Sequence, residues 1–121
     1  MTVLRVLVVE DEAMVAMILS EILEAMGHDV CGVETTEADA VAAAARCKPD
    51  MMIVDVWLAD GNGVSAVEEI RRTGAVPHVY VTADIAMVKA LGQDSVIIHK
   101  PYRERDLVQA MDRALGIAAP S

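Results

Sequence analysis

The chain has 121 residues, 55% of them hydrophobic and 24% charged, which is enough for one self-sufficient core and argues for a single domain. Its 19 acidic and 10 basic residues give a formal net charge of -9, and no basic run exceeds Arg71-Arg72, so direct nucleic-acid binding is not expected. With no Phe, one Trp and two Tyr there is no aromatic platform for stacking bases, and Val, Ile, Leu, Ala and eight Met must fill the interior.

Val6 to Val9 is apolar without polar alternation, the pattern of a strand covered on both faces, and the acidic run Glu10-Asp11-Glu12 follows it. That run is too short for a membrane span, and no stretch approaches the roughly 18 apolar residues one needs, so no membrane insertion is expected. Ala13 to Met26 reads as a helix with Val15, Ile18, Leu19, Ile22 and Met26 on its inner stripe and Gly27 as its stop. Met14, Met17 and Leu23 lie off that stripe; they either widen the core face or form an apolar docking patch. Asp29 to Val33 is a second strand, and Glu37 to Ala45 an alanine-rich second helix.

Pro49-Asp50 leads into a third strand, Met51 to Val54, and Asp60-Gly61-Asn62-Gly63 is a loop by its turn chemistry. A third helix follows with Val64, Val67 and Ile70 inward, then a fourth strand from His78 to Val81 after Pro77. A short fourth helix over Ile85 to Leu91, with Gly92 as its stop, precedes the fifth strand, Val96 to Ile98. A last amphipathic helix runs from about Arg103 to Leu115, leaving residues 117 to 121 as a tail. Five strand-helix pairs in strict alternation predict an open, doubly wound parallel sheet with helices on both faces, whose ligands bind beyond the carboxyl ends of the strands.

The residues just past those ends are Glu10 and Asp11, then Asp55, then Thr82, then Lys100 before Pro101. Three converging carboxylates repel one another unless a cation neutralises them, and hard oxygen ligands suit Mg²⁺, with Mn²⁺ also acceptable. If Asp55 attacks phosphorus, the metal, the Lys100 ammonium and the Thr82 hydroxyl together match the oxygens of a phosphoryl group carried on it. Cys31 and Cys47 have neither metal-ligand nor redox-motif spacing and are expected to be reduced thiols of a cytoplasmic protein. His28, His78 and His99 also lack ligand spacing and read as structural or surface groups.

Taken in order, "VLVVEDE", "PDMMIVDVWLADGNG", "VYVTA" and "HKPY" resemble the receiver domains of two-component response regulators over residues 4 to 115. The resemblance implies a single receiver domain over residues 1 to 121. Its fold would be α/β and flavodoxin-like, (βα)5, with strand order 2-1-3-4-5. It implies that Asp55 is the phosphoacceptor, charged by a phosphohistidine on a sensor histidine kinase or histidine phosphotransfer protein. Glu10, Asp11, Asp55 and the backbone carbonyl of Trp57 would hold the Mg²⁺, and Thr82 and Lys100 would be the switch hydroxyl and the phosphate-binding lysine. A cis Lys100-Pro101 bond is common in the family. Output would pass through the 82-102 region to a downstream protein target, and catalysis would be limited to phosphorylation and dephosphorylation of Asp55 itself.

Three features depart from the family pattern. Ile97 stands where an aromatic switch residue is usual, so Tyr80 and Tyr102 become candidate substitutes or simple packing residues. Thr82 and Lys100 are 18 residues apart, fewer than usual, which shortens the fourth helix. In this the chain resembles an alphaproteobacterial subgroup of receivers with a loosely ordered fourth helix. Trp57, two residues after the phosphoacceptor, is bulky, and with Asp84 it is a candidate modulator of phosphoryl lifetime or a docking group. A Mg²⁺-dependent aspartyl-phosphate hydrolase acting on external substrates is the alternative, although Trp57 stands where its acid-base Asp belongs. A flavin or nucleotide binder lacks the Gly-rich loop after the first strand.

Overall fold

The computed structural model describes residues 2–91 and 95–118. Its elements are β1 (Arg5–Val9), α1 (Ala13–Ala25), β2 (Asp29–Glu34), α2 (Glu37–Cys47), β3 (Met51–Asp55), α3 (Gly63–Arg71), β4 (His78–Thr82), α4 (Ile85–Leu91), β5 (Ile97–His99) and α5 (Glu104–Ala118). The strands form one parallel sheet in the order β2-β1-β3-β4-β5. β3 is buried at every position, as its unbroken apolar run requires. The expected stop at Gly92 lies outside the described residues. α5 continues past Leu115 to Ala118, so residues 117 and 118 of the expected tail are helical; one glycine, Gly116, costs a helix only about 1 kcal/mol and does not end it.

Period-2 alternation divides the strand side chains between two cores. On one face Val6, Val8, Met51, Ile53, Val79, Val81 and Ile98 meet α1 and α5 through Leu19, Leu23, Leu107 and Met111. On the other, Leu7, Val9, Met52, Val54 and Tyr80 meet the alanines of α2 and the inner face of α3. Small residues on α2 let that helix approach closely, which is how a core without Phe remains filled. The inner face of α1 is rotated from the expected one: Ala16, Leu19 and Leu23 are buried, Leu23 completely, whereas Ile18 is 50% exposed. Seven large apolar residues crowd this helix, so spacing alone does not set the phase; contact with the sheet does.

Helix entry follows capping chemistry. Thr36 accepts the Asp39 amide at the start of α2, and Asn62 accepts the Ser65 amide at the start of α3. α4 has no fully buried residue; Met87 and Leu91 rest partly against the core while Ile85 is 61% exposed. The pairing of β1 with β2 slips between Val6 and Leu7, so Val6 meets Val30 and Leu7 meets Gly32, leaving Cys31 as the extra residue of a bulge.

Candidate functional site

Parallel strands deliver their carboxyl ends to one edge of the sheet, and there the expected residues assemble. Oxygen atoms of Glu10, Asp11 and Asp55 lie within 4.8 Å of one another. Lys100 Nζ donates to Asp55 Oδ2 at 2.7 Å and to Glu10 Oε1 at 3.1 Å, so one ammonium bridges the two buried carboxylates. The other Asp55 oxygen, Oδ1, accepts the Trp57 amide at 3.1 Å, and Glu10 Oε2 accepts the Glu12 amide at 3.2 Å. Among the described residues no buried side-chain oxygen or nitrogen lacks a partner.

Burial raises the Glu10 carboxyl from its ordinary 4.5 to about 7, with the negative charge of Asp55 adding to it; the Glu12 amide and Lys100 offset only part of this. Burial pulls the Lys100 ammonium down, but hydrogen bonds to Asp55 and Glu10 outweigh it and the net direction is up. The cluster is thus an acidic pocket holding more negative charge than one lysine neutralises. All its free ligands are hard oxygens, and such a set fits a Mg²⁺-class cation.

Thr82 is buried at the end of β4, and its hydroxyl oxygen accepts the Asp84 amide at 3.1 Å, leaving the hydroxyl proton available. Its carbonyl accepts the Lys100 amide at 2.8 Å, which ties the lysine-bearing turn to β4; the Lys100-Pro101 bond is cis. Trp57 is 51% exposed, and its indole Nε1 donates to Asp84 Oδ2 at 3.2 Å. The other Asp84 oxygen caps α4 by accepting the Ala86 and Met87 amides at 3.0 and 3.3 Å. The loop after β3 is therefore joined to the first turn of α4 through one carboxylate.

Tyr80 is buried in the α2–α3 core, edge-on to His78 with ring centroids 5.0 Å apart, and pairs in register with Ile97. Tyr102 is half-buried on the opposite face, against the α1–α5 core. The two candidate aromatics thus serve different cores, and both pack. The histidines behave as structural groups: His28 Nδ1 accepts the Leu4 amide, while His78 and His99 ring nitrogens meet the carbonyls of Val76 and Ala83.

Two supporting residues escaped the sequence reading. A Cβ at Gly63 would collide with the Asp55 backbone carbonyl and the Val54 side chain, so only glycine lets α3 start against the strand that carries Asp55. Glu37 Oε1 accepts the Asn62 amide at 3.0 Å and the Glu37 amide donates to the Asp60 carbonyl at 3.1 Å, pinning the β3–α3 loop to α2. The Gly-Asn-Gly turn was the only available signal for the first, and nothing local marks the second.

A family profile for the response regulator receiver domain matches residues 6–112. The chain is 32% identical over 115 residues to the phyllosphere-induced regulator PhyR of Methylorubrum extorquens, covering 92% of this chain and 43% of that protein. It is 28% identical to the chemotaxis protein CheY of Thermotoga maritima, covering 90% of this chain and 95% of the relative. In three dimensions it matches the receiver domain of the Erythrobacter litoralis PhyR response regulator with a TM-score of 0.86 at 28% identity, covering 98% and 95% of the two chains. It also matches the anti-anti-sigma factor PhyR from Bartonella quintana with a TM-score of 0.82 at 28% identity, covering 96% of this chain and 49% of that one. The chain therefore spans less than half the length of the longer PhyR proteins it resembles and nearly all of the short CheY. From its profile match and its flavodoxin-like fold, the chain belongs to the response regulator receiver domains, the phosphorylatable signalling switches of two-component systems.

Proposed function

We propose that Asp55 accepts a phosphoryl group from the phosphohistidine of a sensor histidine kinase or histidine phosphotransfer protein, and that the 82-102 region converts the new charge into altered binding of a downstream protein target. The observation that carries this reading is the Lys100 bridge between Asp55 and Glu10 at the strand ends. An Asp55 carboxylate oxygen attacks phosphorus, the phosphorus–nitrogen bond breaks and the donor imidazole leaves. Lys100 holds the attacking carboxylate in place and remains beside it as charge accumulates on the phosphoryl oxygens. Thr82 has a hydroxyl proton to offer the same oxygens, and doing so draws β4 toward Asp55.

Glu10, Asp11, Asp55 and the Trp57 carbonyl would hold Mg²⁺, or Mn²⁺, which when bound supplies the positive charge that offsets phosphoryl charge in this pocket. Trp57 and Asp84, hydrogen-bonded between the loop after β3 and the first turn of α4, would limit the access of hydrolytic water and so lengthen phosphoryl lifetime. Relatives that carry this domain include the anti-anti-sigma factor PhyR of Bartonella quintana, which supports output by protein binding rather than by chemistry on a small substrate.

The test is intact mass after incubation with acetyl phosphate, with and without Mg²⁺, on the wild type and Asp55→Asn. Gain of one phosphoryl group only with metal and only with Asp55 is expected; a gain that survives Asp55→Asn overturns the assignment. Trp57→Asn should alter dephosphorylation severalfold, and an unchanged rate removes the gating role of Trp57.

A further inference from the structure

The bulge in β2 has a second consequence at the opposite end of the sheet. Cys31, the extra residue, has no cross-strand partner in β1, and its carbonyl instead accepts a hydrogen bond from Cys47 Sγ at 3.1 Å. Cys47 is the last residue of α2, 16 positions along the chain, and its sulfur lies against the Cys31–Gly32 backbone, 3.7 Å from where a Gly32 Cβ would stand, on the face where Cys31 itself packs. Both are free and half-buried. Beside them Arg5 donates to the Cys47 carbonyl at 2.8 Å, placing a cation next to the pair. Nothing in the phosphoryl site uses these groups.

We propose that Cys31 and Cys47 are a built redox pair that closes to an intramolecular disulfide by exchange with a small-molecule disulfide such as oxidised glutathione. In the proposed order Cys47 makes the first attack; burial, with the neighbouring Cys47 thiol, pushes Cys31 up to about 11 and keeps its thiolate scarce near neutrality. The Cys47 thiol gives up its proton, its sulfur attacks a glutathione sulfur, the glutathione disulfide bond breaks and one glutathione thiol leaves. Cys31 then gives up its proton and attacks Cys47 sulfur, displacing the second glutathione. Two protein thiols are oxidised by two electrons, and one glutathione disulfide becomes two glutathione thiols. The product staples the end of α2 to the edge strand, at the end of the sheet away from Asp55.

The folded protein is equilibrated with oxidised glutathione, quenched in acid and weighed intact, and then mapped by proteolysis without reduction. A loss of about 2 Da, one Cys31–Cys47 cross-linked peptide pair and an unfolding temperature at least about 5 °C higher, all reversed by dithiothreitol, are expected for closure of so short a loop. Cys31→Ser should instead stop at the glutathione adduct on Cys47. Wild type that retains that adduct, stays fully reduced, or cross-links between molecules overturns the proposal.

Discussion

Glu10 offers a quantitative test of the acidic pocket. Its carboxyl stands at about 7 in the folded chain against an ordinary 4.5, which corresponds to about 3 kcal/mol at roughly 1.4 kcal/mol per tenfold change in proton affinity. Between those two values the native state binds more protons than the unfolded chain, so stability falls as pH rises through that window; the contribution is fully present below about 4.5 and is lost above about 7. Glu10→Gln removes the titration. The amide keeps an oxygen for Lys100 but presents an NH₂ where Glu10 Oε2 accepted the Glu12 amide, at a cost of about 1 kcal/mol. In a chelator, the variant should therefore be about 2 kcal/mol more stable than wild type at pH 8 and equal to it or about 1 kcal/mol less stable at pH 4.5, a crossover that urea unfolding at several pH values can measure. A difference between the two proteins that does not change with pH refutes the reasoning.

Gly63→Ala should cost about 2 to 4 kcal/mol in urea unfolding and abolish acetyl-phosphate labelling, because the new methyl displaces the Asp55 backbone; a tolerated, fully labelled variant contradicts the contact. Leu23→Ala should cost about 3 kcal/mol by leaving a cavity under α1, while Ile18→Ala, half exposed, should cost less than about 1 kcal/mol; thermal melts in the reverse order would place the helix face wrongly. Asp84→Ala removes both the α4 cap and the indole partner, so about 1 kcal/mol of stability should go together with a shift in the emission of the single tryptophan, and unchanged fluorescence argues against the Trp57 bond.

Most of the candidate site was readable as text. An apolar β-branched run identifies a strand, the next polar residue identifies its carboxyl end, and parallel alternation obliges all such ends to share one edge. Glu10, Asp11, Asp55, Thr82 and Lys100 could therefore be nominated from their positions alone. Three-dimensional contact decided the remainder. Spacing carries a period but not a phase in a helix apolar nearly all round, so only the sheet beneath α1 could turn Leu23 inward and Ile18 outward. Hydrogen bonds between residues distant in sequence, such as Lys100 with Glu10, Trp57 with Asp84 and Glu37 with Asn62, leave no periodic trace along the chain. The slip that makes Cys31 the neighbour of Cys47 belongs to the pairing of two strands, and neither strand encodes it alone. Local pattern, carried by each segment's own side chains, set the elements and their order; the partners each side chain meets exist only once the sheet has closed its two cores.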